Sequence, residues 1–150
     1  MGDSHASRLS SCGAYKSSFT EPKNLAKGGQ KTHELVDIIQ SNGPTIQKYR
    51  HCVVSIGAND CKDSSSAEIT CLIRRAASSL KKLNIKIHLI AIPPRHASTN
   101  SKTWKPNERI IKVTAEVNAE LYEMAKNGEI DSLIEPNIDP RKANLYSTKD

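Results

Sequence analysis

Three short polar motifs carry groups that could cleave an acyl bond. They are Gly2-Asp3-Ser4-His5, Gly28-Gly29-Gln30 and Gly57-Ala58-Asn59-Asp60. The hydroxyl of Ser4 is a weak nucleophile, and it attacks a carbonyl efficiently only when a base takes its proton. The backbone N–H of Gly29 and the carboxamide of Asn59 are donors of the kind that stabilise the resulting oxyanion. The set therefore predicts serine-dependent hydrolysis of an acyl compound.

Each motif also has an ordinary structural interpretation. Asp-Ser is a frequent helix N-cap, Gly-Gly before a helix is a turn, and Asn-Asp after a strand is another turn. Asn59 has the strongest case for a function, because an apolar run from Cys52 to Ile56 leads directly into its motif. Its neighbour Asp60 is expected to cap the segment that follows.

Apolar runs alternate with amphipathic segments, and these elements must position the motifs. Strands are predicted at Cys52 to Ile56, Ile85 to Ile92 and Ile130 to Ile134. Apolar residues spaced by three and four predict helices at Thr32 to Gln40, Ile69 to Leu83 and Asn107 to Lys126. The alternation predicts an α/β fold with a mostly parallel sheet covered on both faces. Ligands bind at the carboxyl ends of such strands, where the motif of Asn59 and the turn from Pro93 to His96 both lie.

The order and spacing of the motifs resemble the SGNH (GDSL-type) hydrolase family. The stretch Gly2-Asp3-Ser4-His5 with Leu9 is similar to its first block, Gly29-Gln30-Lys31-Thr32 to its second, and Gly57-Ala58-Asn59-Asp60 to its third. The resemblance spans nearly the whole chain and implies a three-layer α/β/α sandwich with a flavodoxin-like sheet. It also implies that Ser4 is the nucleophile and that Ser4, Gly29 and Asn59 together form the oxyanion hole. The family's first strand would precede Gly2, so the chain is expected to lack it and to hold its first residues loosely.

The general base is the group that the motifs do not supply. The segment Asn144 to Asp150 resembles the lead-in to the family's Asp-x-x-His block, in which Asp150 would orient a histidine three positions further on. The chain is therefore expected to be truncated at both ends and to hydrolyse esters very slowly by itself. His96 is the only alternative base on the expected rim, and Arg95 beside it could contact a carboxylate or phosphate of a substrate. His33, His51 and His88 fall in a helix or along strands.

Composition sets the remaining limits. A length of 150 residues is typical of a single domain, 1–150, and the formal net charge of +6 favours acidic partners such as nucleic acid. The four cysteines form no CxxC pair, so no metal and no cofactor is predicted, and reduced thiols indicate a cytoplasmic or nuclear protein. No long apolar stretch predicts a membrane span. The sequence does not indicate an oligomeric state.

Three functions follow from these patterns. In the first, the domain is a serine esterase that acts on a small acyl or acetyl ester. In the second, it is a non-catalytic SGNH-like module that binds RNA, lipid or protein, an alternative that the basic charge favours. Its small size, its Ile92-Pro93-Pro94-Arg95 turn and its basic surface are also similar to SGNH-like domains of retrotransposon first open reading frames. In the third, it is an α/β protein of unrelated function. The presence of Ser4, Gly29 and Asn59 together favours the first.

Overall fold

The computed structural model describes residues 1–3, 23–93 and 107–136, which form a parallel α/β sheet with its helices. The elements, in chain order, are α1 (Thr32–Ser41), α2 (Gly43–Ile46), β1 (His51–Val54), a 3-10 turn (Asp60–Lys62), α3 (Ser66–Lys82), β2 (Lys86–Ile90), α4 (Glu108–Lys126) and β3 (Ser132–Ile134). The α/β class predicted from the sequence is confirmed. The short helix α2, which begins at a glycine followed by Pro44, is the element that the apolar periodicity did not predict.

The three strands pair in parallel in the order β1, β2, β3. Cys52 is opposite Ile87 and Val54 is opposite Leu89, so that these apolar side chains share one buried face. The prediction that the first two apolar runs form neighbouring strands is confirmed. Because the strands are parallel, their carboxyl ends meet at one edge of the sheet, and this edge carries the candidate site.

The core is aliphatic, as the scarcity of aromatic residues requires. Each long helix buries one stripe of side chains that recur at spacings of three and four, which is the pattern of an amphipathic helix packed on a sheet. The stripes are Leu35, Val36 and Ile39 in α1; Ile69, Ile73, Ala76, Ala77 and Leu80 in α3; and Ile110, Val113, Val117, Leu121 and Met124 in α4. The helix α4 ends at Asn127-Gly128, where Gly128 has a φ of +70°, as predicted for a C-terminal stop.

The first residues are anchored to the sheet. The Asp3 N–H donates to the Ser55 carbonyl at 2.8 Å, the Ser55 N–H donates to the Met1 carbonyl at 3.1 Å, and Gly2 forms a parallel bridge with Ser55. The expectation that the first residues are loosely held is wrong for residues 1–3, whereas the bridge at Gly2 is isolated and not part of a strand, so the expectation of a missing first strand stays a prediction. The apolar content of the segment is low, so periodicity gave no sign of it, and the pairing depends on backbone groups that every residue has.

Candidate active site

A tight turn at the carboxyl end of β1 sets the position of Asn59. Gly57 adopts a φ of +99°, and its carbonyl accepts hydrogen bonds from the N–H groups of Asp60 at 3.1 Å and Cys61 at 3.2 Å. A Cβ at Gly57 would come within 3.0 Å of the Ile92 side chain and 3.3 Å of Ile69. Only glycine combines this backbone conformation with so close an approach to the core. The turn leaves Asn59 half-buried at the rim.

The carboxamide of Asn59 reaches across to the second motif. Its Nδ2 donates to the Gln30 carbonyl at 3.1 Å. A carboxamide has two N–H donors, so this bond fixes the direction of the group and leaves the second donor for another acceptor. Asn59 is therefore oriented before any ligand arrives, which is what a donor to a developing oxyanion requires.

The glycine turn of the second motif lies beside it. Gly29 has a φ of +75°, and the Gln30 N–H donates to the Lys27 carbonyl at 3.2 Å. Within the described parts of the chain, the Gly29 N–H donates to no acceptor. A Cβ added at Gly29 would meet nothing within 4 Å, so open space adjoins the residue. An exposed, unengaged backbone donor next to an oriented carboxamide is suited to binding an anion.

Hydrogen bonds also tie the second motif to the first. The Lys27 N–H donates to the Gly2 carbonyl at 2.9 Å, while Asp3 is bonded to Ser55 just before the turn of Asn59. The backbone of Gly2 and Asp3 thus joins both of the other motifs at the same edge. Ser4, Arg95, His96 and Asp150 lie outside the described residues, so their predicted roles stay predictions.

A buried carboxylate fastens the two oxyanion motifs together. Asp60 accepts hydrogen bonds from the Thr32 N–H, at 3.2 and 3.1 Å to its two oxygens, and from the Thr32 hydroxyl at 2.8 Å. Both side chains are almost fully buried, at 3% and 0% exposed. The expectation that Asp60 caps the following segment is wrong, because its carboxylate caps the N-terminus of α1 instead. Negative charge is favoured there by the free N–H groups and by the helix dipole.

The Asp60–Thr32 contact predicts a stability loss that can be measured. Replacing Asp60 with alanine leaves two buried Thr32 donors unpaired, and we expect it to lower the free energy of unfolding by about 2 to 3 kcal/mol. The matched control is Asp63→Ala, since that carboxylate is exposed and only forms an ion pair with Lys31 at 3.0 Å. Urea denaturation of both variants should separate them, and equal midpoints would contradict a structural role for the contact.

One buried side chain near the site, that of Gln30, has no hydrogen-bond partner in the described part of the chain. The side-chain nitrogen and oxygen of Gln30 are fully buried, and neither forms a hydrogen bond within the described residues. Such a group costs stability unless something compensates for it. The sequence pattern assigned no role to Gln30, although its backbone carbonyl holds Asn59.

Two of the histidines in the described residues, His51 and His88, lie along the strands and away from this rim. His51 opens β1 and His88 is inside β2, where their Nδ1 and Nε2 atoms are 2.9 Å apart and His88 Nδ1 lies 2.7 Å from the Ser132 hydroxyl. Burial, and secondly repulsion from His51, lower the pKa of His88 below its usual value. His33, the second residue of α1, is exposed.

A surface groove between two helices lies outside the candidate site. A groove of about 570 Å³ between α3 and α4 is lined by Ser66, Thr70, Arg74, Glu116 and Glu120 among others, and it includes neither Gly29 nor Asn59. Its polar groups are largely paired with one another, as in the bonds of Arg74 to Glu120 at 2.8 Å and to Glu129 at 3.1 Å.

Among the described residues, no group of three His, Cys, Asp or Glu side chains could hold a metal ion. None of the described helices is long and apolar enough to cross a membrane.

Comparison with known proteins identifies the fold. No family model matches the sequence, and no curated protein matches it. Solved structures do match. A lipolytic G-D-S-L family protein from Veillonella parvula superposes with a TM-score of 0.73 at 15% identity, over 98% of this chain and 81% of that one. A GDSL-like lipase from Bacteroides thetaiotaomicron gives a TM-score of 0.74 at 15% identity, over 90% of this chain and 65% of that one.

An esterase from a Pseudoalteromonas species gives a TM-score of 0.59 at 12% identity, over 86% of this chain and 64% of that one. The chain therefore spans about two thirds or less of the length of two of these three structures. It has the fold of the GDSL-type lipolytic hydrolases. At these identities the likeness defines the fold alone, and the chemistry depends on the residues at the rim.

Proposed function

We propose that this chain is a GDSL-type serine esterase domain that hydrolyses small carboxylic esters. The observation that supports the proposal most is the Asn59 carboxamide, held by the Gln30 carbonyl at 3.1 Å near the Gly29 N–H, which has no acceptor among the described residues. These two groups would supply two of the three donors of the proposed oxyanion hole, and Ser4 would supply the third. The anchored Gly2-Asp3 backbone would deliver Ser4 to the same edge.

In the proposed reaction, the Ser4 hydroxyl oxygen bonds to the ester carbonyl carbon as its proton passes to a base. The carbonyl oxygen becomes an oxyanion that accepts hydrogen bonds from Asn59, Gly29 and the Ser4 N–H. When this tetrahedral intermediate collapses, the bond to the alcohol oxygen breaks, and the alcohol leaves with the proton that the base took from Ser4. A water molecule then cleaves the acyl-serine by the same route in reverse and releases the carboxylic acid.

The base in the proposed reaction is a histidine oriented by an aspartate, and the 150 residues contain no Asp-x-x-His pattern to supply it. An aspartate orients a histidine and does not replace it. We therefore expect the chain of 150 residues to hydrolyse activated esters slowly, through binding and the oxyanion donors alone.

The proposal can be tested by adding a histidine three positions after Asp150. We expect a chain extended after Asp150 by Gly-Ser-His, called the His-extended chain, to hydrolyse a chromogenic acetyl ester far faster than the original. Members of such a triad act as a unit, so the gain should reach about a hundredfold or more. Ser4→Ala in the same background should abolish the gain, and Ser78→Ala, an exposed serine in α3, is the control. An extended chain that is folded but no faster than buffer would contradict the proposal.

A further inference from the structure

The opposite edge of the sheet carries positive charge. Arg50 immediately precedes β1 and Lys86 is the first residue of β2. The Lys86 N–H donates to the Arg50 carbonyl at 2.8 Å, and Lys86 is the register partner of His51. The two cations are therefore neighbours at the amino ends of the strands, away from the rim of Asn59.

Two further cations extend this edge. Lys48 lies two residues before Arg50, and Lys82 ends α3 and leads to Lys86 through a turn in which Asn84 has a φ of 58°. Lys48, Arg50, Lys82 and Lys86, which we call the basic end, are all exposed, and none forms a hydrogen bond or ion pair through its side chain with a described residue. Lys81 is not part of the set, because its ammonium donates to the Gly128 carbonyl.

Acidic residues are sparse at the basic end, and no carboxylate among the described residues forms an ion pair with its four side chains. The sequence has no Asp or Glu between Asp37 and Asp60, nor between Glu68 and Glu108. The carboxylate of Asp131 lies near β2, where it accepts the Ile87 N–H at 2.7 Å. By contrast, other surface cations, such as Lys31 and Lys112, are paired with carboxylates. A cation at a helix C-terminus complements the helix dipole, which accounts for Lys82 but not for three cations that flank the strands.

Aromatic rings lie between these charges. Tyr49 is half-buried between Lys48 and Arg50 in the chain. The rings of His51 and His88 are stacked, with centroids 5.2 Å apart and planes at 18°. Burial, and secondly repulsion from His51, lower the pKa of His88, which favours the uncharged ring, so that it offers a flat face rather than a charge. Basic side chains interleaved with flat rings are suited to a strand with exposed phosphates and unpaired bases.

We propose that the basic end binds single-stranded nucleic acid, with phosphates on Lys48, Arg50, Lys82 and Lys86 and with bases stacked on Tyr49 and His51. A duplex would present the phosphates but no unpaired base to the rings. The surface lies at the opposite ends of the strands from the candidate active site, so it does not depend on the proposed esterase.

The test measures binding of a labelled RNA of about 12 nucleotides, the range covered by small single-strand binding domains, to the unmodified chain across a salt series. The triple variant Arg50→Gln, Lys82→Gln, Lys86→Gln removes one arginine and two lysines from the basic end. The matched control Arg75→Gln, Lys23→Gln, Lys62→Gln removes the same charges from exposed positions elsewhere. We expect the first triple variant to lose about tenfold or more in affinity, with the slope of log K against log salt reduced by about 2, since each phosphate contact on a single strand contributes about 0.7. The control should change affinity by about twofold or less.

A second pair of variants separates stacking from charge. Tyr49→Leu should weaken RNA binding by about fivefold or more while leaving the salt slope unchanged, and Tyr49→Phe, which keeps the ring, should bind like the original chain. Single-stranded DNA of the same sequence distinguishes recognition of the ribose from recognition of phosphate and base alone. Equal losses in the two triple variants would overturn the proposal. So would absence of RNA binding at low salt, preference for a duplex, or binding only to vesicles containing phosphatidylserine.

Discussion

Replacing Asn59 with alanine should lower ester hydrolysis by the His-extended chain by about a hundred- to a thousandfold in kcat, with little change in KM. Removal of a single oxyanion donor has an effect of this size, because the donor acts most strongly on the charge that develops in the transition state. The Nδ2 of Asn59 is already fixed by the Gln30 carbonyl at 3.1 Å, so no free energy is needed to orient it during the reaction. Asn59→Asp should be at least as damaging, since a carboxylate would repel the oxyanion.

The control for this loss is Asn42→Ala. The Asn42 carboxamide is also half-buried, and its Nδ2 donates to a backbone carbonyl, that of Ile38, at 2.9 Å. It lies just after the C-terminal end of α1, whereas the candidate rim adjoins the N-terminal end of that helix, so its loss should cost one hydrogen bond of stability and no activity. Initial rates over a range of ester concentrations, with unfolding midpoints for both variants, give the comparison. Similar kcat values for the two alanine variants would contradict the assignment of Asn59 as an oxyanion donor.

Replacing Gly2 with alanine should disrupt the backbone pairing with Ser55, on which the position of Ser4 is proposed to depend. An ideal Cβ at Gly2 would lie 1.8 Å from the Ser55 carbonyl oxygen, and Gly2 has a φ of +130°, which other residues rarely adopt. The contact is with backbone, so no side-chain rotation relieves it. We expect Gly2→Ala to separate residues 1–3 from Ser55 and to cost about 3 kcal/mol or more, the sum of backbone strain and overpacking.

Gly43→Ala is the matched control, because a Cβ there meets nothing within 4 Å and the residue is the first of helix α2. Alanine at that position should be neutral or slightly stabilising. Urea denaturation should report the loss in Gly2→Ala, and hydrogen exchange should show faster exchange at the Asp3 and Ser55 amides. Ester hydrolysis by the His-extended Gly2→Ala variant should also fall to the level of Ser4→Ala. Unchanged protection at Asp3 would contradict the anchoring of the first residues.

The likeness to GDSL-type hydrolases concerns the fold. The esterase proposal and the nucleic-acid proposal rest on opposite edges of its sheet. The esterase proposal depends on the carboxyl ends of the strands, where Asn59 and Gly29 lie near one another through Gln30. The nucleic-acid proposal depends on the amino ends, where Arg50 and Lys86 are neighbours. Because the two surfaces share no residue, a result against one leaves the other intact.

The elements could be predicted from the sequence because their patterns are local. Apolar residues spaced by three and four require a helix with one buried face, so α1, α3 and α4 begin and end within a few residues of the predicted positions. The short apolar runs of β1 and β2 similarly indicate strands packed in a core, and alternate residues of both are buried. The order of the glycine-containing motifs was enough to indicate the fold and to single out Asn59.

Only the tertiary structure decided what these residues contact. The bond from Asn59 to Gln30 joins residues 29 positions apart, and those from Thr32 to Asp60 join residues 28 positions apart. Nothing local marks Asp60 as the cap of an earlier helix, or Gly2 as the partner of Ser55. Likewise, the cations can be counted in the sequence, but only the pairing of β1 with β2 places Arg50 next to Lys86. A hydrogen-bond pattern between distant residues depends on the path of the whole chain, whereas a periodic pattern depends only on the geometry of a single helix or strand.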